Sequence, residues 1–297
     1  MRTVRTVASL RAALEPYRAR QRSIALVPTM GALHDGHLSL IRHARAHNQV
    51  VVVSLFVNPS QFNERADLER YPRDEQRDAD LAAAAGADLL FTPTVEEVYP
   101  RGFATAVEVL GLTERLEGAV RGSAHFRGVT TVVTKLLCMA MPHVAYFGQK
   151  DAQQVAVIRR LVDDLNIPVR IEILPTVREP DGLAMSSRNV QLSRSERRRA
   201  LALPAALSAA GERVTAGERA GAALVEVATA QMRALGVEPE YVALVHPNTL
   251  EPVETLAGPA LLLLAARVGD VRLIDNVLLE AHIASTSHQP QPGKALA

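Results

Sequence analysis

Four valines in a row, Val50–Val53, form the centre of the stretch "QVVVVSLFVNP" (Gln49–Pro59). A run of β-branched residues with no polar alternation reads as a strand covered on both faces. "SIALVPT" (Ser23–Thr29), "ADLLFTP", "HVAYFG" and "VRIEILPT" repeat the pattern. Between them lie helical patterns: "HLSLIRHARAH" (His37–His47), "DEQRDADLAAAAG" (Asp74–Gly86), "VTTVVTKLLCMA" and "DAQQVAVIRRLVDDLN". Buried strands alternating with helices predict an α/β fold, a doubly wound parallel sheet.

The pattern changes after Thr176. "VREPDGLAMSSRNVQLS" is polar and turn-rich, as expected of a connection or an active-site loop. "RSERRRALALPAALSAAGERV" and "RAGAALVEVATAQMRALG" read as two helices, and "EYVALVHP", "ALLLLAARVG" and "VRLIDNVLLE" as strands. Helices followed by strands predict a smaller C-terminal α+β domain. The expected division is 1–180, then 181–284. A tail at 285–297, "STSHQPQPGKALA", has the composition of a disordered segment.

The 297 residues carry 33 basic and 32 acidic side chains, a net charge of +1. Without a basic excess, neither nucleic acid nor an anionic membrane is an expected partner. No apolar segment has the length of a membrane span, and the N-terminus lacks the apolar core of a signal peptide. The lone Cys138 excludes an internal disulfide, which fits a reducing, cytoplasmic setting. In its apolar context it is expected to be a buried small hydrophobe.

The stretch "VPTMGALHDGH" (Val27–His37) follows the first buried strand and opens a helix. It matches neither GxxxxGK[ST] nor GxGxxG. Ligands of open α/β sheets bind at the carboxyl ends of strands, where a helix N-terminus offers free N–H groups to an anion. His34 and His37 add donors there. Zinc is a second reading, although the HExxH pattern needs an i,i+4 spacing and a glutamate. Plain helix capping is a third.

Three other segments bear on the choice. In "VSLFVNPSQF", Gln61 follows a strand end and its amide both donates and accepts. In "YFGQKDAQQVAVIRR", Lys150 stands at a helix N-terminus, a conflict with the dipole that a bound anion would resolve. In "REPDGLAMSSRN", Ser186, Ser187 and Arg188 provide hydroxyls and a permanent cation suited to phosphate.

The HDGH element resembles the HIGH signature of the nucleotidyl transferases. "PTMGALHDGHLSLIRHA" is similar specifically to the pantothenate synthetase (pantoate–β-alanine ligase) family. "NPSQF", "GQKDAQQ" and the MSSRN form of the KMSKS-type loop extend the resemblance over nearly all of residues 1–285. The segment "RGSAHFRG" departs from the family's Arg-Pro-Gly-His-Phe-Arg-Gly: it has no proline, and one extra residue separates Arg121 from His125.

The resemblance implies a Rossmann-like domain and an ATP-dependent ligase. Pantoate carboxylate attacks ATP to give pantoyl adenylate, which β-alanine then converts to pantothenate and AMP. It implies an ATP site built from Met30, Gly31, Ala32, Leu33, His34, Asp35, Gly36, His37, Gly148, Gln149, Lys150, Asp151, Val177, Met185, Ser186, Ser187 and Arg188. His37, His34, Lys150 and Arg188 are the implied catalytic groups, with His37 the main donor. Gln61 and Gln154 would bind pantoate, Gln61 would border β-alanine, and Tyr71 would close over the nucleotide. Asp78 is the implied Mg²⁺-associated carboxylate. A homodimer is the implied assembly. Rival readings are a nucleotidyl transferase for a phosphate-bearing substrate, an RNA-binding module and a zinc hydrolase.

Overall fold

A computed structural model of the chain describes residues 1–63 and 65–281. The first part runs β1 (Arg2–Val4), α1 (Val7–Ala19), β2 (Ile24–Thr29), α2 (Asp35–His47), β3 (Val50–Leu55), α3 (Arg65–Arg70), α4 (Glu75–Ala84), β4 (Leu89–Phe91) and α5 (Val95–Val98). It continues through α6 (Glu117–Arg121), α7 (Ser123–Ala140), β5 (Val144–Gly148), α8 (Ala152–Asp164) and β6 (Arg170–Leu174). The second part comprises α9 (Arg194–Ala200), α10 (Ala202–Thr215), α11 (Gly221–Ala234), β7 (Pro239–Val245), β8 (Ala260–Val268) and β9 (Val271–Leu279).

Strands β1–β6 form one parallel sheet in the order β1-β4-β3-β2-β5-β6. The period of two divides each apolar run between two cores. Ile24, Leu26, Val50 and Val52 pack with α1, α7 and α8 through Leu14, Leu137 and Ile158. Ala25, Val27, Val51 and Val53 pack with α2 and α4 through Leu38, Ile41 and Ala82. That double burial is why these strands lack alternation. β1 has three residues, two of them exposed, too few to leave a periodic signal.

Strand order reverses between β2 and β5, so their carboxyl ends open onto a crevice. The second, antiparallel sheet has the order β7-β8-β9. One face of β8, through Leu262 and Leu264, packs on α10 and α11. The other, through Leu261 and Leu263, joins the core of the large sheet. The small sheet is thereby seated at the mouth of the crevice.

Two expectations change. The helix expected from Arg194 breaks at Leu201, because Pro204 cannot donate to residue 200 and its ring would strike that carbonyl. Cys138 is exposed: on α7 the buried face takes Leu136, Leu137, Met139 and Ala140, and Cys138 falls outside it. The tail from Ser285 lies outside the described residues. No helix among the described residues is long and apolar enough to cross a membrane.

Candidate active site

A cleft of about 490 Å³ occupies the crevice beyond β2 and β5. Its walls bring together Met30, His34, Gly36, His37, Gln61, Gly148, Lys150, Asp151, Gln154, Val177, Met185, Ser186, Ser187 and Arg188. Of the expected residues, Gly31, Ala32, Leu33, Asp35, Gln149 and Asp78 do not line it. Gly31, Ala32 and Leu33 build the turn behind the wall. Asp35 is exposed in the first turn of α2, where a negative charge suits the dipole.

That turn is strained by design of the backbone. Gly31 has φ +87° and Ala32 φ +51°, and a Cβ on Gly31 would lie 3.0 Å from Asp78 Oδ2. Asp78 offsets the strain. Its Oδ2 accepts the Ala32 amide and its Oδ1 the Leu33 amide, both at 2.8 Å. The carboxylate is 1% exposed. Both oxygens of Asp78 thus accept amides, and the side chain does not line the cleft.

His34 is the N-cap of α2, and its Nδ1 accepts the Gly36 amide at 3.2 Å. The neutral ring then carries its proton on Nε2. The cap thus uses only one of the two nitrogens of the imidazole. His37, one turn on, has its Nδ1 buried with no hydrogen-bond partner among the described residues, the kind of atom a ligand satisfies. Burial, then Lys150, lowers the pKa of His34. Burial and then His34 push His37 down to about 3.

Lys150 lies 3.3 Å from Asp151 Oδ1 in the turn after β5. Burial raises the Asp151 carboxyl, but the Lys150 ammonium outweighs it and the net shift is downward. Asn276 on β9 holds this turn by donating to the carbonyls of Gln149 and Lys150 at 3.0 and 2.9 Å. Gln149 faces Asn276 and not the cleft.

The segment from Val177 to Arg188 is an organised hairpin-like loop. Arg178 bridges to Ala184, and the Met185 amide donates to the Val177 carbonyl at 3.0 Å. Tyr71 is buried and hydrogen-bonds to Ser187, with its hydroxyl pKa raised by burial. The opposite wall is equally fixed. Gln61 Nε2 contacts Met30 Sδ at 2.9 Å, and its Oε1 accepts from Asn58 at 3.0 Å. Tyr99 donates to Asn58 Oδ1 at 2.9 Å. Arg121 and His125 both reach the cleft despite the altered spacing between them. His125 Nδ1 meets the Gln61 carbonyl at 2.7 Å, and burial followed by Arg121 lowers its pKa to about 4.

The motifs do not reveal a further cluster. Glu117 accepts from Arg272 at 2.6 and 2.8 Å, from Arg121 at 2.9 Å and from Tyr241 at 2.7 Å. Burial raises Glu117, but the Arg272 guanidinium more than reverses this and holds it at about 2. The cluster joins α6 to the small sheet beside the cleft. Gln153, adjacent to the expected Gln154, binds the carbonyls of Leu112 and Arg115 and so secures the segment before Glu117.

Residues 2–278 match the family model described as pantoate-beta-alanine ligase. The chain belongs to the pantoate-beta-alanine ligase family. Among members of this ligase family, the pantothenate synthetase of Moorella thermoacetica is 53% identical over 95% of this chain and all of its own length. A crystal structure of the Thermus thermophilus pantothenate synthetase superposes with a TM-score of 0.88 at 49% identity, covering 93% of this chain and 99% of that one. The Francisella tularensis pantoate-beta-alanine ligase, complexed with beta-gamma ATP and beta-alanine, has a TM-score of 0.77 at 35% identity, covering 94% and 97%. The six-stranded parallel sheet with its small antiparallel partner is thus the architecture of the ligase family.

Proposed function

We propose that the chain is an ATP-dependent ligase that condenses pantoate with β-alanine through a pantoyl adenylate. The observation that carries this reading is the convergence of His34, His37, Lys150 and the Met185–Arg188 segment on one cleft at the switch point of the sheet. Family membership and the ATP- and β-alanine-bound relative support it.

The steps follow from the placement of groups. A pantoate carboxylate oxygen attacks the α-phosphorus of ATP, the bond from that phosphorus to the bridging oxygen breaks, and pyrophosphate leaves. The β-alanine amine then attacks the acyl carbon, loses a proton, and AMP departs with the bonding electrons. Charge accumulates on phosphate oxygens in the first step. Lys150, Arg188 and the N–H donors of neutral His34 and His37 stabilise it from fixed positions. Gln61, fixed by Asn58, and Gln154 orient the pantoate, so that both reactants meet within one site. Such positioning requires no covalent enzyme intermediate.

ATP is the substrate nucleotide. Magnesium belongs to the same proposal as the companion of ATP, with Asp78 as its associated carboxylate by family likeness, and no step above is routed through the ion. The division near residue 180 fits this reading, since the loop after Val177 leaves the large sheet and crosses to the small one. A homodimer and a cytoplasmic location belong to the same proposal by family likeness.

The test mixes the purified protein with ATP, Mg²⁺ and D-pantoate and follows pyrophosphate, then AMP on adding β-alanine. Pantoate-dependent pyrophosphate release is expected. Release without pantoate, or none, sinks the ligase reading. His37→Ala and Lys150→Ala should each slow adenylate formation about 100-fold, the scale of losing one transition-state donor.

A further inference from the structure

Two adjacent residues of β9, Asp275 and Asn276, are buried at 2% and 3% exposure. Their partners lie on two different segments of the large-sheet half. Asp275 receives a two-pronged hydrogen bond from Arg178, at 2.7 Å to Oδ2 and 3.0 Å to Oδ1. Arg178 stands at the root of the loop that ends in Ser186, Ser187 and Arg188. It also donates to the Gly182 carbonyl at 3.0 Å, so one guanidinium ties the loop to the Asp275 carboxylate. Asn276 spends both amide protons on the Gln149 and Lys150 carbonyls, and its Oδ1 accepts from Gln149 Nε2 at 3.1 Å. The backbone N–H of Asn276 donates to Asp275 Oδ1 at 2.8 Å, which ties the Asp275 carboxylate to the backbone of its neighbour.

The chemistry is that of a spacer. A buried ion pair contributes little net stability relative to apolar packing, whereas a two-pronged arginine–carboxylate contact fixes direction. Apart from the bond within the dipeptide, each of these bonds to Asp275 or Asn276 comes from the turn bearing Lys150 or the loop bearing Arg188. A triphosphate gripped from both sides needs those segments at a fixed separation, and one dipeptide on a rigid strand sets it.

We propose that Asp275 and Asn276 are positioning residues for adenylation, holding the Lys150 turn and the Ser186–Arg188 segment at the spacing that the triphosphate requires. This rests on the ligase reading above. It makes the first half-reaction, which handles three phosphates, sensitive to the dipeptide. The second, in which a single phosphate remains, depends on it far less.

The test uses Asn276→Asp, which sets a carboxylate against two carbonyls, and Asp275→Asn, which keeps the shape but discharges the fork. Gln149→Met, which removes only the bond to Asn276 Oδ1, serves if either fails to fold. Pantoate-dependent pyrophosphate release is measured against ATP concentration. AMP release from supplied pantoyl adenylate and β-alanine is measured separately. The expected result is a fall of about 100-fold in kcat/KM for ATP, the scale of a misplaced binding group, with the second half-reaction within about twofold of the parent. An equal fall in both half-reactions overturns the proposal in favour of a merely structural role, and no fall overturns it outright. Failure of the ligase reading is distinguishable, because the parent protein itself would then release no pyrophosphate with pantoate.

Discussion

The imidazole rings of His34 and His37 lie 4.1 Å apart, centroid to centroid, tilted by 34°. Two positive charges that close, in a partly desolvated cleft beside Lys150, would repel strongly. Burial first, then the neighbouring positive charge (Lys150 for His34, His34 for His37), lowers both pKa values from 6.5, and both rings are neutral at pH 7. They therefore act as N–H donors without a formal charge. Adenylation, read as kcat/KM for ATP, should not decline through histidine titration between pH 6.5 and 8. Imidazolium donors would instead lose activity about tenfold per pH unit above 6.5.

The same shifts govern acid stability. The folded-state values of His37, about 3, and His125, about 4, lie below 6.5. Between those values and 6.5 the unfolded chain binds more protons, so stability rises with pH there. The contribution is complete above about 6.5 and is lost as pH falls toward 4 and then 3. Melting temperature measured from pH 8 to 4 should hold level at first with respect to these groups and then drop below 6.5. A melting temperature that rises on acidification through this window would contradict the neutral pair.

Gly36→Ala separates activity from stability. An added Cβ would meet His34 Cε1 and Nδ1 at 2.9 Å, forcing the ring from its cap and its Nε2 from the cleft. Alanine is the better helix former by about 1 kcal/mol, which offsets part of the lost cap. The variant should fold with a melting temperature near that of the parent, yet slow pyrophosphate release by about 100-fold. Unchanged release would show that the position of His34 is unimportant.

Much of this site is legible in the sequence, and the limit has a physical cause. His34, His37, Lys150 and Ser186–Arg188 belong to short segments at strand ends, where local patterning places them. The residues that hold those segments come from far along the chain. Arg272 is 155 positions from Glu117, Asn276 is 127 from Gln149 and Asp275 is 97 from Arg178. No spacing rule encodes such pairs. One signal was present in "VRLIDNVLLE": an Asp-Asn pair inside an otherwise apolar strand marks buried polar groups that need partners. The turn-holding bonds of Asp78 escape notice for the same reason, because its partners, the Ala32 and Leu33 amides, lie 46 and 45 positions away.

Asp78→Asn tests whether Asp78 acts by holding that turn or by holding magnesium. An amide cannot accept through both heads, so one N–H of the Ala32–Leu33 turn would face an NH₂ group. Leaving a buried donor unpaired costs about 1–3 kcal/mol. The turn carries positive φ at Gly31 and Ala32 and would relax, moving Met30 and His34. Urea unfolding should report a loss in that range, and slower adenylation should accompany it at every magnesium concentration. Rescue of full activity by excess magnesium would restore the metal-ligand role.

Glu117→Gln addresses the union of the two sheets. The carboxylate draws together Arg121 and Arg272 and accepts the Tyr241 hydroxyl, so its removal leaves the Arg121 guanidinium without this partner and Arg272 with only Glu240, at 2.7 Å, among these carboxylates. Breaking such a buried pair from one side costs about 3–5 kcal/mol, detectable as a lower urea midpoint. The carboxyl is held at about 2, against 4.5 in the open chain. Its contribution is therefore complete above 4.5 and disappears as pH falls toward 2, because only the unfolded form then takes up the proton. The parent and the variant should consequently differ most at neutral pH and converge in acid. A gap that persists undiminished at pH 2 would mean that the loss comes from packing alone and that the charge of Glu117 does not fasten the small sheet to the cleft.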